Sequence, residues 1–140
     1  MKNTEHILHN CLYFTANSLA RKITRMADEA FRPTGLSPSH AFIVMLVNDE
    51  PGIGPKKLCE ALNLAPSTVT RFVDALIYKG YAEKKMSGKT TAVTLTSQGQ
   101  ALLEPIEAAW KSLYLRYSDI LGEQEGIDLT AQLDKISKKL

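Results

Sequence analysis

The chain has 140 residues, 44% of them hydrophobic and 23% charged, with 17 Lys and Arg against 15 Asp and Glu for a formal net charge of +2. This composition excludes a disordered, collagenous or repeat polymer and suits one domain with a real core. No apolar run approaches the roughly 18 residues of a membrane span, MKNTEHILHN lacks the basic-then-apolar pattern of a secretory leader, and two cysteines, Cys11 and Cys59, form neither a disulfide framework nor a zinc knuckle. A soluble cytoplasmic protein with no membrane partner and no cofactor is expected.

From about residue 4 to residue 31 there is neither Pro nor Gly, and Leu8, Leu12, Leu19, Ile23, Met26 and Ala30 recur at helical spacing, which predicts one long amphipathic helix. Phe31-Arg32-Pro33-Thr34-Gly35 ends it, because Pro33 disfavours helical geometry at Arg32 and Gly35 accepts positive φ. Ser37-Pro38 then reads as an N-cap and first helical residue, opening a helix that stops at Asp49-Glu50-Pro51-Gly52. Pro55 opens a short helix carrying Leu58, Ala61 and Leu62. Asn63-Leu64-Ala65 turns the chain, and Pro66 opens another helix that ends near Lys79, before Gly80. In that helix Val69, Phe72, Val73, Leu76 and Ile77 form an apolar stripe, leaving Ser67, Thr68, Thr70, Arg71, Asp74, Ala75 and Tyr78 on the other side. Residues 81–86 and 90–95 flank Ser87-Gly88-Lys89 and read as a β-hairpin with a basic tip. Thr96 caps a long helix over 97–121, where Pro105 is a point of kinking, and Leu129, Leu133, Ile136 and Leu140 mark a last helix over 129–140.

Charge is unevenly spread along this series. Residues 55–89 carry Lys56, Lys57, Arg71, Lys79, Lys84, Lys85 and Lys89 against Glu60, Asp74 and Glu83, a local +4, whereas residues 100–130 carry a local −4. Two helices joined by a short turn and followed by a hairpin make a winged helix-turn-helix, and its basic surface suits a polyanion. A helix fits the DNA major groove, where Arg reads guanine edges while Ser, Thr and backbone N–H groups hold phosphates. The DNA-contact candidates are therefore Pro66, Ser67, Thr68, Thr70 and Arg71 on the helix and Lys84, Lys85 and Lys89 on the hairpin. The competing reading of Arg71 is a solvated residue paired with Asp74, and that of the Ser and Thr residues is capping. A winged helix that serves only protein contacts is the alternative function; it calls for an uncharged or acidic face. No nucleophile elbow, zinc-protease pattern or dinucleotide fingerprint is present, and Ser87-Gly88-Lys89-Thr90 fails as a phosphate loop because Glu83 stands where its first Gly belongs. His6 and His9 share a helical face, but Cys11 lies about 140° round from His6. Neither an enzyme nor a metal site is expected.

The segments Leu36-Ser37-Pro38-Ser39-His40-Ala41, Leu58-Cys59-Glu60-Ala61-Leu62-Asn63-Leu64, Ser67-Thr68-Val69-Thr70-Arg71-Phe72-Val73-Asp74-Ala75-Leu76, Lys79-Gly80-Tyr81 and Val93-Thr94-Leu95-Thr96-Ser97-Gln98-Gly99 resemble, in this order and over almost the whole chain, the multiple-antibiotic-resistance regulator (MarR) family of bacterial transcription factors. The resemblance implies a mainly α fold with a small β-hairpin wing. In a single domain of residues 1–140, a DNA-binding core at 36–96 is flanked by dimerisation helices at 1–33 and 97–140, whose continuous apolar stripes also argue for an intersubunit bundle. It further implies a homodimer that binds a pseudo-palindromic operator in double-stranded DNA and represses.

The wing departs from the family pattern: the usual Asp-x-Arg element before the last strand is replaced by Met86-Ser87-Gly88-Lys89-Thr90-Thr91. Lys89 is the candidate replacement, and as a point charge it positions rather than specifies. His40 stands where a polar residue, often Gln, is usual. By the same resemblance Tyr13, Phe14, His40, Phe42, Trp110, Tyr114 and Tyr117 lie on helices that wall an effector crevice. Tyr13, His40, Phe42, Trp110 and Tyr114 are the candidate ligands of a small lipophilic or phenolic effector, with aromatic core as the equal alternative. A partial resemblance to the organic-hydroperoxide regulators makes Cys11 a candidate sensing thiol, against the reading of a small buried hydrophobe. Cys59 reads as structural.

Overall fold

The computed structural model describes residues 3–140; Met1 and Lys2, the first two residues of the segment expected over 1–33, lie outside it. In chain order the elements are α1 (Asn3–His9), α2 (Leu12–Phe31), a 3-10 turn (Arg32–Thr34), α3 (Pro38–Asp49), α4 (Pro55–Leu62), α5 (Pro66–Tyr78), β1 (Ala82–Ser87), β2 (Thr90–Leu95), α6 (Ser97–Gln100), α7 (Leu103–Leu121) and α8 (Glu123–Lys139). They form two compact units. One is residues 31–111, the winged-helix unit; the other is the described part of 1–30 together with 112–140, the helical unit.

In the winged-helix unit the predicted start signals act as expected. Ser37 Oγ accepts from the His40 N–H at 3.3 Å ahead of Pro38, while Gly54 and Ala65 precede Pro55 and Pro66 in extended conformation. Asn63 adopts φ 55 and directs its N–H to the Cys59 carbonyl, so the α4–α5 turn uses one of the few non-Gly residue types that enter the left-handed region readily. Phe31, Ile43, Val44, Val47, Leu58, Val69, Leu76, Val93 and Ile106 are almost wholly buried and form the core.

The hairpin pairs Ala82 with Leu95 through Ser87 with Thr90, so Ser87 belongs to β1, Tyr81 does not, and the tip is only Gly88-Lys89. Gly88 has φ +61 and Lys89 does not, the pattern of a two-residue turn with glycine first. An attachment unread in the sequence joins the hairpin to the α3–α4 loop: the Val93 N–H donates to the Ile53 carbonyl at 3.1 Å, and the Gly52 N–H to the Val93 carbonyl at 2.8 Å.

In the helical unit the single helix expected over 4–31 is two. The Asn10 side-chain amide donates to the His6 carbonyl at 2.7 Å, and the Asn10 and Cys11 N–H groups fall back on the Ile7 and Leu8 carbonyls at 3.2 and 3.1 Å, a tightened turn that ends α1. The last helix begins at Glu123 rather than near 129. Gly122, at φ +93, separates it from α7, and Gly126 is buried within it, where an added Cβ would meet the Tyr117 ring carbons at 3.4 Å. Leu19 and Ile23 of α2, Tyr117 and Leu121 of α7 and Leu129 and Leu133 of α8 surround a small cavity of about 130 Å³. Arg116 binds Glu29 across α7 and α2 at 3.3 Å.

The helix expected over 97–121 is also interrupted. Pro105 has no N–H to offer the Ala101 carbonyl, the Leu102 N–H turns back to Gly99 at 3.1 Å, and α6 and α7 separate instead of kinking. No helix among the described residues is long and apolar enough to cross a membrane.

Candidate nucleic-acid interface

The orientation of α5 follows from its apolar stripe. Val69, Val73 and Leu76 are 0%, 5% and 1% exposed, and burying each stabilises by about 1.5–3 kcal/mol. Pro66, Ser67, Thr70 and Arg71 consequently lie exposed on the opposite side, Thr68 is half-buried, and Tyr78 is 92% exposed. Asp74 pairs with Lys84 of β1 at 3.3 Å, not with Arg71. An exposed pair of this kind contributes at most about 1 kcal/mol, too little to compete with the stripe. It does hold one of the three wing lysines against the helix. Among the described residues Arg71, Lys85 and Lys89 have no ion-pair partner within 4.0 Å, so their charge is available to a ligand.

The wing is fixed to the end of α5 by a compact knot. Gly80, at φ +85, turns the chain out of the helix; Thr96 Oγ1 donates to the Gly80 carbonyl at 2.6 Å and accepts from the Gly99 N–H at 3.1 Å, while the Thr96 N–H donates to the Tyr81 carbonyl at 3.1 Å. Gly99 lies so close to Tyr81 that an added Cβ would fall on the Tyr81 carbonyl oxygen. These bonds explain why Lys79-Gly80-Tyr81 and Leu95-Thr96-Ser97-Gln98-Gly99 occur together: each half supplies the other's partners.

On the inner side of α3, His40 bonds through Nδ1 with the Ser37 hydroxyl and stacks on Phe72 of α5 at 4.4 Å between ring centroids. Burial, and secondarily the Lys79 charge, lowers its pKa from the ordinary histidine value, which favours the neutral ring. Phe42 packs between Phe31 at 6.0 Å and Trp110 at 4.9 Å. The five candidate effector ligands thus divide: His40, Phe42 and Trp110 lie in the winged-helix unit, Tyr13 and Tyr114 in the helical unit. Tyr13 is 78% exposed. Tyr114 packs edge-on to Tyr117 at 5.6 Å and donates to Glu123 at 3.2 Å; desolvation first, then this carboxylate, raises its pKa. Phe14 packs edge-on to His9 at 5.5 Å.

Cys11 is half-buried at the α1–α2 break, where its carbonyl accepts from Thr15, and Cys59 is half-buried on α4. Among the described residues no three His, Cys, Asp or Glu side chains gather as metal ligands. Sequence reasoning missed a cavity of about 540 Å³ between the end of α3 and the first half of α7. Its lining residues are scattered over residues 45–111, and no local pattern marks them.

The MarR family pattern matches residues 36–87, from the approach to α3 through β1. The transcriptional repressor MdtR of Bacillus subtilis is 24% identical over 139 residues, covering 95% of this chain and 89% of its own. An uncharacterised HTH-type transcriptional regulator of Bacillus cereus is 25% identical over 117 residues, covering 81% and 78%. Among solved structures, the transcriptional repressor CouR bound to p-coumaroyl-CoA superposes with a TM-score of 0.86 at 19% identity over 95% of this chain and 96% of its own. A cysteine-to-serine mutant of MarR from E. coli in complex with operator DNA gives 0.79 at 22% identity, over 89% and 92%. The relatives are transcriptional regulators rather than enzymes, residues 36–87 carry the pattern of the MarR family, and the fold is the MarR-type winged helix over nearly the whole chain.

Proposed function

We propose that the protein is a homodimeric repressor that occupies a pseudo-palindromic operator and is released by a small effector. The observation that carries this reading is the exposed face of α5, where Ser67, Thr70 and unpaired Arg71 stand opposite a fully buried stripe beside a basic wing. Each α5 enters a major groove with half-sites about one helical turn, roughly 34 Å, apart. Ser67, Thr68, Thr70 and the N-terminal turn at Pro66 take phosphates, Arg71 reads a base edge, and Lys84, Lys85 and Lys89 follow the backbone next to the groove. The operator complex of the structurally similar MarR supports the arrangement. Residues 36–96 are the DNA-binding core, and 1–33 and 97–140 supply the dimer helices, consistent with the exposed Leu12, Leu115, Ile120, Ile127, Leu133 and Ile136.

The test is sedimentation of the chain with and without DNA from the flank of its own gene. The full chain should sediment as a dimer and bind as one. A chain lacking residues 127–140, deprived of the apolar face of α8, should be monomeric or aggregated and bind at least tenfold more weakly. A soluble dimer after the deletion places the interface elsewhere.

For the wing, Lys89→Ala should reduce affinity for all sequences alike and flatten the salt dependence by about one unit of slope per half-site, since a lysine on a two-residue tip meets phosphate rather than a base edge. A change of sequence preference at fixed salt would assign base reading to the wing.

The effector reading has two forms. Trp110 and Phe42, in contact at 4.9 Å, favour a small lipophilic ligand near α3 and α7, as does the p-coumaroyl-CoA held by CouR. The half-exposed thiol of Cys11 at a helix break favours oxidation: its thiolate attacks a hydroperoxide, forming a sulfenic acid and releasing the alcohol. Treating the operator complex with an organic hydroperoxide should release the parent and spare Cys11→Ser. A parent complex that stays bound, at oxidant levels that modify free thiols, makes Cys11 a packing residue.

A further inference from the structure

The cavity of about 540 Å³ lies wholly within the winged-helix unit, between the C-terminal end of α3 and the first half of α7. Its volume is that of a small-molecule site. Met45, Leu103, Ile106 and Trp110 give it an apolar lining, and Trp110 remains 47% exposed although Phe42 packs on it. Around this lining stand Asp49 and Glu107, with Lys111 as the single cation. Among the described residues none of these three has an ion-pair partner within 4.0 Å. Two free carboxylates thus border an apolar, indole-bearing groove with a surplus of negative charge.

We propose that this groove binds lipophilic cations, aromatic molecules carrying a delocalised positive charge, and that such cations are the effectors; the second half of the statement rests on the effector reading above. An indole attracts a cation through the negative face of its ring, most strongly when water is partly excluded. A methionine thioether adapts to ligands of varied outline. Asp49 and Glu107 need break no existing pair to meet a positive charge, whereas an anion entering the groove would face both. The sign is opposite to that of the anionic ligand bound by CouR, so shared fold does not imply shared ligand charge.

The test uses an isosteric pair of opposite charge, tetraphenylphosphonium and tetraphenylborate, titrated into the full-length protein while the fluorescence of Trp110, the only tryptophan, is followed. Tetraphenylphosphonium should quench saturably and bind at least tenfold more tightly than tetraphenylborate. Asp49→Asn with Glu107→Gln should remove that preference, and Lys111→Glu should strengthen cation binding several-fold; both sets of changes are on exposed side chains, and circular dichroism checks the fold. Equal or tighter binding of the borate overturns the charge inference and leaves the groove as a site for neutral or anionic ligands. Silence from both probes overturns the groove as a ligand site. Saturable cation binding that leaves the operator complex intact, read by anisotropy of labelled DNA, confirms the site and overturns its role as the effector site.

Discussion

Arg71→Ala should cost the dimer about 2–6 kcal/mol of operator affinity, the sum over two half-sites of the roughly 1–3 kcal/mol that a base-reading arginine contributes. The size of the effect follows from its surroundings. Arg71 is exposed on α5, and Asp74, the acid three residues on, is engaged by Lys84 at 3.3 Å. No internal partner therefore competes with DNA for the guanidinium. Because Arg71 lies outside the buried stripe of Val69, Val73 and Leu76, the thermal melt should not move. Arg71→Lys should retain the charge and lose discrimination, since an ammonium cannot make the two parallel bonds of a guanidinium. Anisotropy titrations against operator and scrambled duplex at one salt concentration decide it; operator affinity unchanged in Arg71→Ala removes this residue from the interface.

Gly99→Ala should destabilise the fold by about 3 kcal/mol, at the upper end of overpacking costs. The new methyl would collide with backbone, the Tyr81 carbonyl oxygen, rather than with the end of a flexible side chain. That oxygen is held by the Thr96 N–H at 3.1 Å, and Thr96 is itself tied to the Gly80 carbonyl at 2.6 Å. No atom of the group can retreat alone, so operator binding should fall along with the denaturation midpoint. Gly88→Ala is the control: φ is +61 but nothing lies within 4 Å of an added Cβ, and the expected loss is only the roughly 1–2 kcal/mol of a left-handed backbone. Equal urea midpoints for the two variants would show that the contact between α6 and Tyr81 is not tight.

Local signals made most of the winged-helix unit readable. Ser37-Pro38, Pro55, Pro66 and Gly80 each act within one turn of themselves, and the stripe of α5 repeats often enough to orient the helix. The misreadings share a cause, since each depends on a bond or a neighbour that periodicity does not register. Asn10 ends α1 through its own side chain reaching the His6 carbonyl. The apolar spacing from Leu129 left out the first turns of α8, which begin at Glu123 and include Gly126, buried beside the Tyr117 ring. Ile53 reaches β2 across forty residues of sequence. At the candidate site the sequence supplied the exposed residues of α5 and the wing. It did not reveal that Asp74 takes Lys84 instead of Arg71, or that Asp49 and Glu107 border one groove, because both are matters of distance between elements.

The attachment of the wing is one-sided, and this bears on how such a protein can change its target over generations. At its root the hairpin is tied to Gly52 and Ile53 on one flank and to Gly80 and Tyr81 through Thr96 on the other, and Ala92 and Thr91 still lie close to Gly52 and Gly54; beyond Thr91 the residues are exposed and held by the pairing of Ser87 with Thr90. An insertion at Gly88-Lys89 therefore meets no packed neighbour, and lengthening a loop costs only about 0.6 kcal/mol per doubling. The same insertion beside Gly52 or Thr96 would pull apart bonds that hold the core. In the proposed interface, the reach of the wing along DNA is thus a dimension that insertions can alter while leaving the fold and α5 untouched.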